Sequence, residues 1–494
     1  MKKLLNLIFV FASIYAIAQD SRIPIDTTVV TTNTVTIKGQ KVPYKATTGM
    51  QPVWNSNGKV VATLNYTYYT RTDVKDTAKR PLIMSFNGGP GSASVWMHIA
   101  YTGPKVLKID DEGNPIQPYG IKDNPYSVLD VADIVFINPV NTGYSRPVVE
   151  KGEKVDNKYF FGVNADARYL ADWLTTFMTR NNRWLSPKYI VGESYGGTRV
   201  MQLANELQSR QWMYLNGVIM VSPADYKIIR TGGSEDIAMN LPYFTATAWY
   251  HKMLPADLQQ RDLEEILPEA ELFSYNELLP ALSKGGNISS VERNRIAEKM
   301  SRYTGIKKRV LLQLNLEMQP SFFWKELLRD TSGKTIGRLD SRYLGIDRQQ
   351  VGTGPDYSPE LTSWLHSFTP AMNYYTQNIL NFKTDVKYNM FGPVGRWDYE
   401  NEDARESLRK AMAQNPYLQV LVQSGYYDGA TTYSVAKYTM GKIDPSGVLK
   451  DRMFFKGYRS GHMMYLRKED LEKSNEDLRV FIKNSSENIG PAKY

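Results

Sequence analysis

A chain of 494 residues, 42% hydrophobic and 22% charged, is long enough to bury a sizeable core and too mixed in composition for a disordered or fibrous protein. It has no cysteine, which excludes a disulfide framework, a thiolate metal site and a catalytic thiol. The net charge of +9 is spread along the chain; its densest basic patch, Lys307-Lys308-Arg309, runs into Val310-Leu311-Leu312 as a solvated helix face would, and no nucleic-acid motif accompanies it.

The first residues have the layout of a secretory signal: Lys2 and Lys3, an apolar run from Leu4 to Ile17, then small residues at Ala16 and Ala18. Cleavage is expected after Ala18, giving residues 1–18 as signal peptide and an exported chain, periplasmic or secreted. The apolar run is too short to span a bilayer comfortably, and no other segment could span. An exported chain without cysteine fits a bacterial envelope better than a eukaryotic vacuole. From Asp26 to about Thr72 the residues are rich in Thr, Val and Tyr. Val35 and Ile37 alternate with Thr34 and Thr36, and Ala62, Leu64, Tyr66 and Tyr68 fall on alternate positions. This predicts an N-terminal β-rich extension of antiparallel strands.

Short continuous apolar runs follow at Leu82-Ile83-Met84, Ile134-Val135-Phe136-Ile137, Tyr189-Ile190-Val191, Val218-Ile219-Met220-Val221 and Val420-Leu421-Val422. Runs of this kind belong to a sheet covered on both faces. A helix capped by Asn164 carries Leu170, Leu174, Phe177 and Met178 on one face, and another after Gly197 carries Val200, Met201, Ala204 and Leu207. The alternation predicts a doubly wound α/β sheet. Between Val221 and Val420 helical stretches such as Asp257 to Leu267 and Val291 to Tyr303 replace the strand rhythm. Residues from about 230 to 375 read as a helical insertion that builds a lid, with a separate domain as the alternative.

Gly192-Glu193-Ser194-Tyr195-Gly196 fits the Gly-x-Ser-x-Gly elbow, in which glycines permit a turn tight enough to strain the serine. The pattern is weak alone and gains force from the apolar strand before it and the amphipathic helix after it. A serine hydroxyl needs a base, and the chain offers His98, His251, His366 and His462. The order serine, acid, histidine selects His462, in Ser460-Gly461-His462-Met463 after the strand Met453-Phe454-Phe455. Asp428 is the first acidic residue after the strand Gln419 to Gln423, with Asp398, Asp403 and Asp451 as rivals. Backbone donors for an oxyanion are expected from the residue after the serine and from the loop Phe86-Asn87-Gly88-Gly89-Pro90-Gly91.

Five segments in order, Asn-Gly-Gly-Pro-Gly at 87–91, Pro-Val-x-Thr-Gly-Tyr-Ser at 139–145, Gly-Glu-Ser-Tyr-Gly-Gly at 192–197, Gly-x-x-Asp at 425–428 and Gly-His-Met at 461–463, resemble the serine carboxypeptidase family, its bacterial branch in particular. The resemblance covers nearly the whole chain after the signal and implies an α/β-hydrolase fold over 19–494. It implies a triad of Ser194, Asp428 and His462, an oxyanion hole of the Gly89 and Tyr195 amides, and binding of a substrate's terminal carboxylate by Asn87 and a protonated Glu193. Two carboxyl groups brought together share a proton, so such an enzyme works best at acidic pH. Three departures bear on the substrate subsites: Ser85 stands where the family often has Trp, Ser92-Ala93-Ser94 replaces a Cys-containing continuation, and Asn138-Pro139-Val140-Asn141 replaces Asp-Pro-Val-Gly. The expected function is an exported carboxypeptidase acting on the C-termini of peptides or proteins, with no metal or organic cofactor needed. An esterase or acyltransferase on the same scaffold is the alternative, and a catalytically silent envelope binding protein the third reading. No feature of the sequence fixes an oligomeric state.

Overall fold

The computed structural model describes residues 23–150, 152–224, 229–399 and 403–486; the expected signal segment 1–18 lies outside the described residues. Nine strands run along one sheet: β1 (Thr27–Ile37), β2 (Gln40–Trp54), β3 (Val60–Arg71), β4 (Leu82–Phe86), β5 (Asp133–Ile137), β6 (Lys188–Glu193), β7 (Gly217–Val221), β8 (Gln419–Gly425) and β9 (Met453–Tyr458). Their spatial order is β1-β2-β3-β5-β4-β6-β7-β8-β9, and a tenth, two-residue strand, Arg146–Pro147, pairs with β3. From β5 to β9 every pairing is parallel.

The continuous apolar runs have the cause expected of them. Every residue of β4, β5, β6 and β7 is buried. The pleat sends alternate residues to opposite faces. Ile83, Ile134, Val191 and Ile219 enter one core with Leu478 and Ile482, while Met84, Val135, Ile190 and Val218 enter a second core with Leu170, Leu203 and Leu408. The second core lies under helices α1 (Val163–Arg180), α2 (Tyr195–Gln211) and α3 (Ala404–Gln414), and α4 (Lys468–Ser486) covers the first. At about 1.5–3 kcal/mol for each fully buried large apolar side chain, these two layers supply most of the drive to fold.

One local expectation holds and two are corrected. The N-terminal strands form the expected antiparallel extension, and β3 pairs antiparallel with β5, so the hairpin continues the central sheet. For that reason Thr63, Asn65 and Thr67 are buried along with Ala62, Leu64, Tyr66 and Tyr68, instead of facing solvent. The first long helix is capped by Gly162, not Asn164, because a β-bridge of Gly162 to Asp398 delivers the chain and Asp398 O accepts the Val163 N–H at 3.2 Å. The stretch Asp257 to Leu267 breaks into Ala256–Gln259 and Leu263–Phe273, because the Asp262 carboxylate accepts the Glu264 N–H at 2.9 Å and starts a second helix.

Between β7 and β8 the chain runs through Ser234–Tyr250, Leu263–Phe273, Ser290–Thr304 and Pro359–Tyr374, with a two-residue ladder of Thr335–Ile336 on Leu344–Gly345. Leu241, Phe244, Ile266, Ile296, Leu311 and Phe323 form a third apolar cluster there. No helix among the described residues is long and apolar enough to cross a membrane.

Candidate active site

Ser194 has one residue in which to turn β6 into α2. Its backbone adopts φ 58° and ψ −125°, a left-handed conformation that costs a non-glycine residue about 1–3 kcal/mol. The turn closes because a Cβ on Gly192 would collide with Gly196 O, and one on Gly197 would lie 2.7 Å from the Pro223 Cβ. The Ser194 N–H donates to Val221 O at 2.9 Å, tying the turn to β7.

The C-terminal ends of β8 and β9 bring Asp428 and His462 to the same edge. His462 Nδ1 lies 2.7 Å from Asp428 Oδ2, and both side chains are buried. Asp428 Oδ1 accepts the Ala430 N–H at 2.8 Å and the Thr431 N–H at 3.1 Å, while Thr431 Oγ1 sits 2.6 Å from Oδ2 and 3.1 Å from His462 Nδ1. These contacts leave Asp428 one orientation. Burial is the largest influence on His462 and opposes its protonation, but Asp428 and Glu193 more than offset it, so its pKa stands above the ordinary value. Ser194 and His462 face one cleft of about 210 Å³. The Ser194 hydroxyl is not hydrogen-bonded to His462 in this arrangement; catalytic hydrogen bonds are often long without substrate and tighten in the complex.

The loop after β4 closes over the elbow. Gly88 must be glycine, since a Cβ there would come within 2.5 Å of Glu193 O and 2.6 Å of Tyr195 N, and Gly89 has φ 106°. The loop backbone at Gly88 is thereby packed against the start of α2 at Tyr195. Holding the loop from below is Arg199, fully buried in α2. Its guanidinium donates to Asn87 O, to Pro90 O at 3.2 Å and to Asp166 Oδ2 at 2.6 Å, and Tyr169 OH donates to Asp166 Oδ1 at 3.0 Å. Replacing Arg199 by Met leaves Asp166 a buried charge without its partner, and is expected to cost about 3–5 kcal/mol of stability. A urea midpoint equal to that of the wild type would show that the pair does not hold this loop.

Asn87 and Glu193 meet beneath the cleft. Asn87 Oδ1 accepts the Met97 N–H at 3.1 Å, which turns its amide nitrogen toward Glu193, and Nδ2 donates to Glu193 Oε2. Tyr465 OH donates to Glu193 Oε1 at 2.6 Å. Burial, the dominant influence, pushes the Glu193 carboxyl up to about 7, against the pull of His462, Tyr465 and Asn87.

One wall of the cleft was not foreseeable. The strap 337–341 lies across the backbone of the Asp428 and His462 loops: Leu339 O accepts the His462 N–H at 2.6 Å, Arg338 O accepts the Gly429 N–H at 2.9 Å, and the Ser341 N–H donates to Tyr427 O at 3.0 Å. Leu339 N–H in turn donates to Glu360 Oε1 at 2.8 Å. Trp96, Trp364, Leu361, Phe391 and Met463 complete an apolar lining. Of the three departures, Ser92 lines the cleft and accepts the Trp96 Nε1–H at 2.8 Å. Asn138 accepts the Ser94 N–H and donates to Asn65, both at 2.8 Å, and Ser85 is buried in β4, so these two serve the framework.

The remaining histidines and acids have other tasks. His98 is buried 2.5 Å from Tyr69 OH, and burial drives its pKa down to about 3. His251 bonds Ser341 O and His366 bonds Thr362 O, each at 2.7 Å. Asp403 caps α3 through the Glu406 N–H at 3.1 Å, and Asp451 is exposed.

A serine at a strand-to-helix turn, an Asp–His pair on the strands that follow it and an early glycine loop folded over the elbow define an α/β hydrolase. Residues 39–452 match the family model described as serine carboxypeptidase, and the chain belongs to that family. Among curated relatives it is similar to serine carboxypeptidase-like 36 of Arabidopsis thaliana, 31% identical over 169 residues, covering 32% of this chain and 31% of the relative. Serine carboxypeptidase-like 20 of the same plant is 28% identical over 166 residues, covering 33% and 31%. The chain thus spans about a third of the length of the curated relatives it matches. Among solved structures it resembles Kex1(delta)p, a prohormone-processing carboxypeptidase from Saccharomyces cerevisiae, with a TM-score of 0.54 and 13% identity over 90% of this chain and 92% of that one; at that identity the likeness concerns the fold.

Proposed function

We propose that this protein is an exported serine-type carboxypeptidase that releases the last residue of peptides or proteins through an acyl-enzyme on Ser194. The observation that carries the reading is Glu193 in the lining of the Ser194 cleft, with Asn87 bonded to it from beneath. A buried carboxyl pushed up to about 7 is a hydrogen-bond donor in acid solution, and such a donor beside an amide suits a free terminal carboxylate rather than a capped chain end or an alkyl ester. Export rests on the sequence layout of residues 1–18, and the helices between β7 and β8 are read as the lid over the cleft.

In this mechanism Asp428 holds the proton of His462 on Nδ1, leaving Nε2 to accept the Ser194 proton as Oγ attacks the last peptide carbonyl. The Gly89 and Tyr195 N–H groups receive the oxyanion. The C–N bond breaks as His462 returns the proton to the leaving amine, and water repeats the sequence to free the shortened acyl chain.

The two titrations act in opposite senses. Glu193 is protonated below about pH 7, so affinity for a free C-terminus is present in acid and lost as pH rises through that value. His462 must be neutral to act as base, so the chemical step weakens as pH falls through its raised pKa. The expected kcat/KM profile is a bell, and Glu193→Gln, which keeps a neutral donor, is expected to flatten its alkaline limb. An alkaline limb identical in both enzymes would remove Glu193 from carboxylate binding. The overall reading is tested by C-terminal release from a peptide library with Ser194→Ala as control; turnover of short-chain esters with no release from any peptide would replace it by the esterase or acyltransferase reading.

A further inference from the structure

Among the described residues lining the cleft, Arg338 carries a permanent positive charge that the proposed reaction does not use. Arg338 lines the same space as Ser194, Glu193 and His462. Its backbone is pinned, because its carbonyl accepts the Gly429 N–H and the next residue bonds both His462 and Glu360. Its side chain is exposed and has no ion pair or hydrogen bond among the described residues.

Among the described residues, the acidic groups of the neighbouring loops have other partners or are held neutral by burial. Asp340 pairs with Arg342 at 2.7 Å, Asp428 holds His462, and Glu193 accepts from Asn87 and Tyr465. Glu360 is buried, accepts the Leu339 N–H on Oε1 and feels the Arg338 charge, but burial outweighs that pull and pushes its carboxyl up to about 7, so at pH 6 it is mostly neutral and leaves the guanidinium uncompensated. The charge reaches the reacting centre: burial is the main force against protonation of His462, and Arg338 adds to it. The rest of the cleft lining is largely apolar: Trp96, Leu361, Trp364, Phe391 and Met463.

We propose that Arg338 is a specificity-determining residue that selects substrates carrying a carboxylate side chain beside the scissile bond. The proposal rests on the carboxypeptidase reading of the cleft. That reading assigns the terminal carboxylate to Asn87 and Glu193, so the guanidinium is left for a second carboxylate. Its planar fork of donors matches that group in two parallel hydrogen bonds, which no other cleft residue offers.

The test compares two series of short peptides, one ending in Glu, Gln or Lys and one with those residues in the penultimate position, at pH 6, where a glutamate side chain is ionised. The wild type is expected to favour Glu over isosteric Gln by about tenfold in kcat/KM in one series, which assigns the side of the scissile bond. Arg338→Gln is expected to bring that ratio to about one and Arg338→Glu to turn the preference toward Lys. A Glu to Gln ratio near one in the wild type, or the same ratio in wild type and Arg338→Gln, overturns the proposal. Calorimetric binding of the same peptides to Ser194→Ala, with and without Arg338→Gln, reads the preference without turnover. A charge-dependent affinity there with no peptide cleaved by the wild type would keep Arg338 and discard the carboxypeptidase reading.

Discussion

Ser194→Ala is expected to lower kcat for C-terminal release by about a millionfold, the loss seen when a serine hydrolase forfeits its only nucleophile. Without Oγ no acyl-enzyme forms, and what remains is the contribution of binding and the oxyanion donors. The substitution should leave the fold intact, because alanine also carries a Cβ and meets the same left-handed backbone that Ser194 already tolerates at φ 58°. A wild-type thermal unfolding curve, together with loss of labelling by a fluorophosphonate probe, would confirm that chemistry alone has gone. Residual activity within about tenfold of the wild type, far more than a lost nucleophile leaves, would place the nucleophile elsewhere.

Asp428→Asn is expected to cost about ten-thousandfold in kcat. The reason lies in how the side chain is held. Oδ1 accepts the Ala430 and Thr431 N–H groups, so an asparagine would keep its oxygen there and turn its amide nitrogen toward His462 Nδ1. Nδ1 would then have to accept, the proton would move to Nε2, and the imidazole could no longer take the serine's proton. Loss of the Asp428 charge also removes the leading support for the raised pKa of His462, so the acid limb of kcat should move to lower pH. Activity within about tenfold of the wild type would assign the acid to another residue.

The parts of this site legible in the sequence are those whose chemistry is local or forced by scarcity. The elbow declares itself through its glycines because no other residue fits where Gly192 faces Gly196. His462 follows from chain order among four histidines, and the strand ends from apolar runs buried on both faces. Arg199 gives no such sign. Its partner Asp166 and the loop carbonyls it holds are distant in sequence, and the clue in retrospect is a charged residue beside Val200 on the buried face of α2. Tyr465, three residues past His462, reads as one more aromatic until its hydroxyl is seen on Glu193. The strap 337–341 was illegible for a further reason: its bonds to Tyr427, Gly429 and His462 are made by backbone atoms, which carry no side-chain signature. The break at Asp262 is legible in the sequence, since Asp262 followed three residues later by Glu265 is a cap signal within a longer apolar pattern.

The most direct measurement is cleavage of one peptide sequence in two forms, with a free C-terminal carboxylate and with a C-terminal amide, at pH 6, by the wild type and by Ser194→Ala. A free acid bound by Asn87 and protonated Glu193 should be shortened one residue at a time by the wild type alone, and the amide should react about a hundredfold more slowly for want of that charged contact. Equal cleavage of the two forms, or release that survives Ser194→Ala, would contradict a carboxypeptidase built on Ser194.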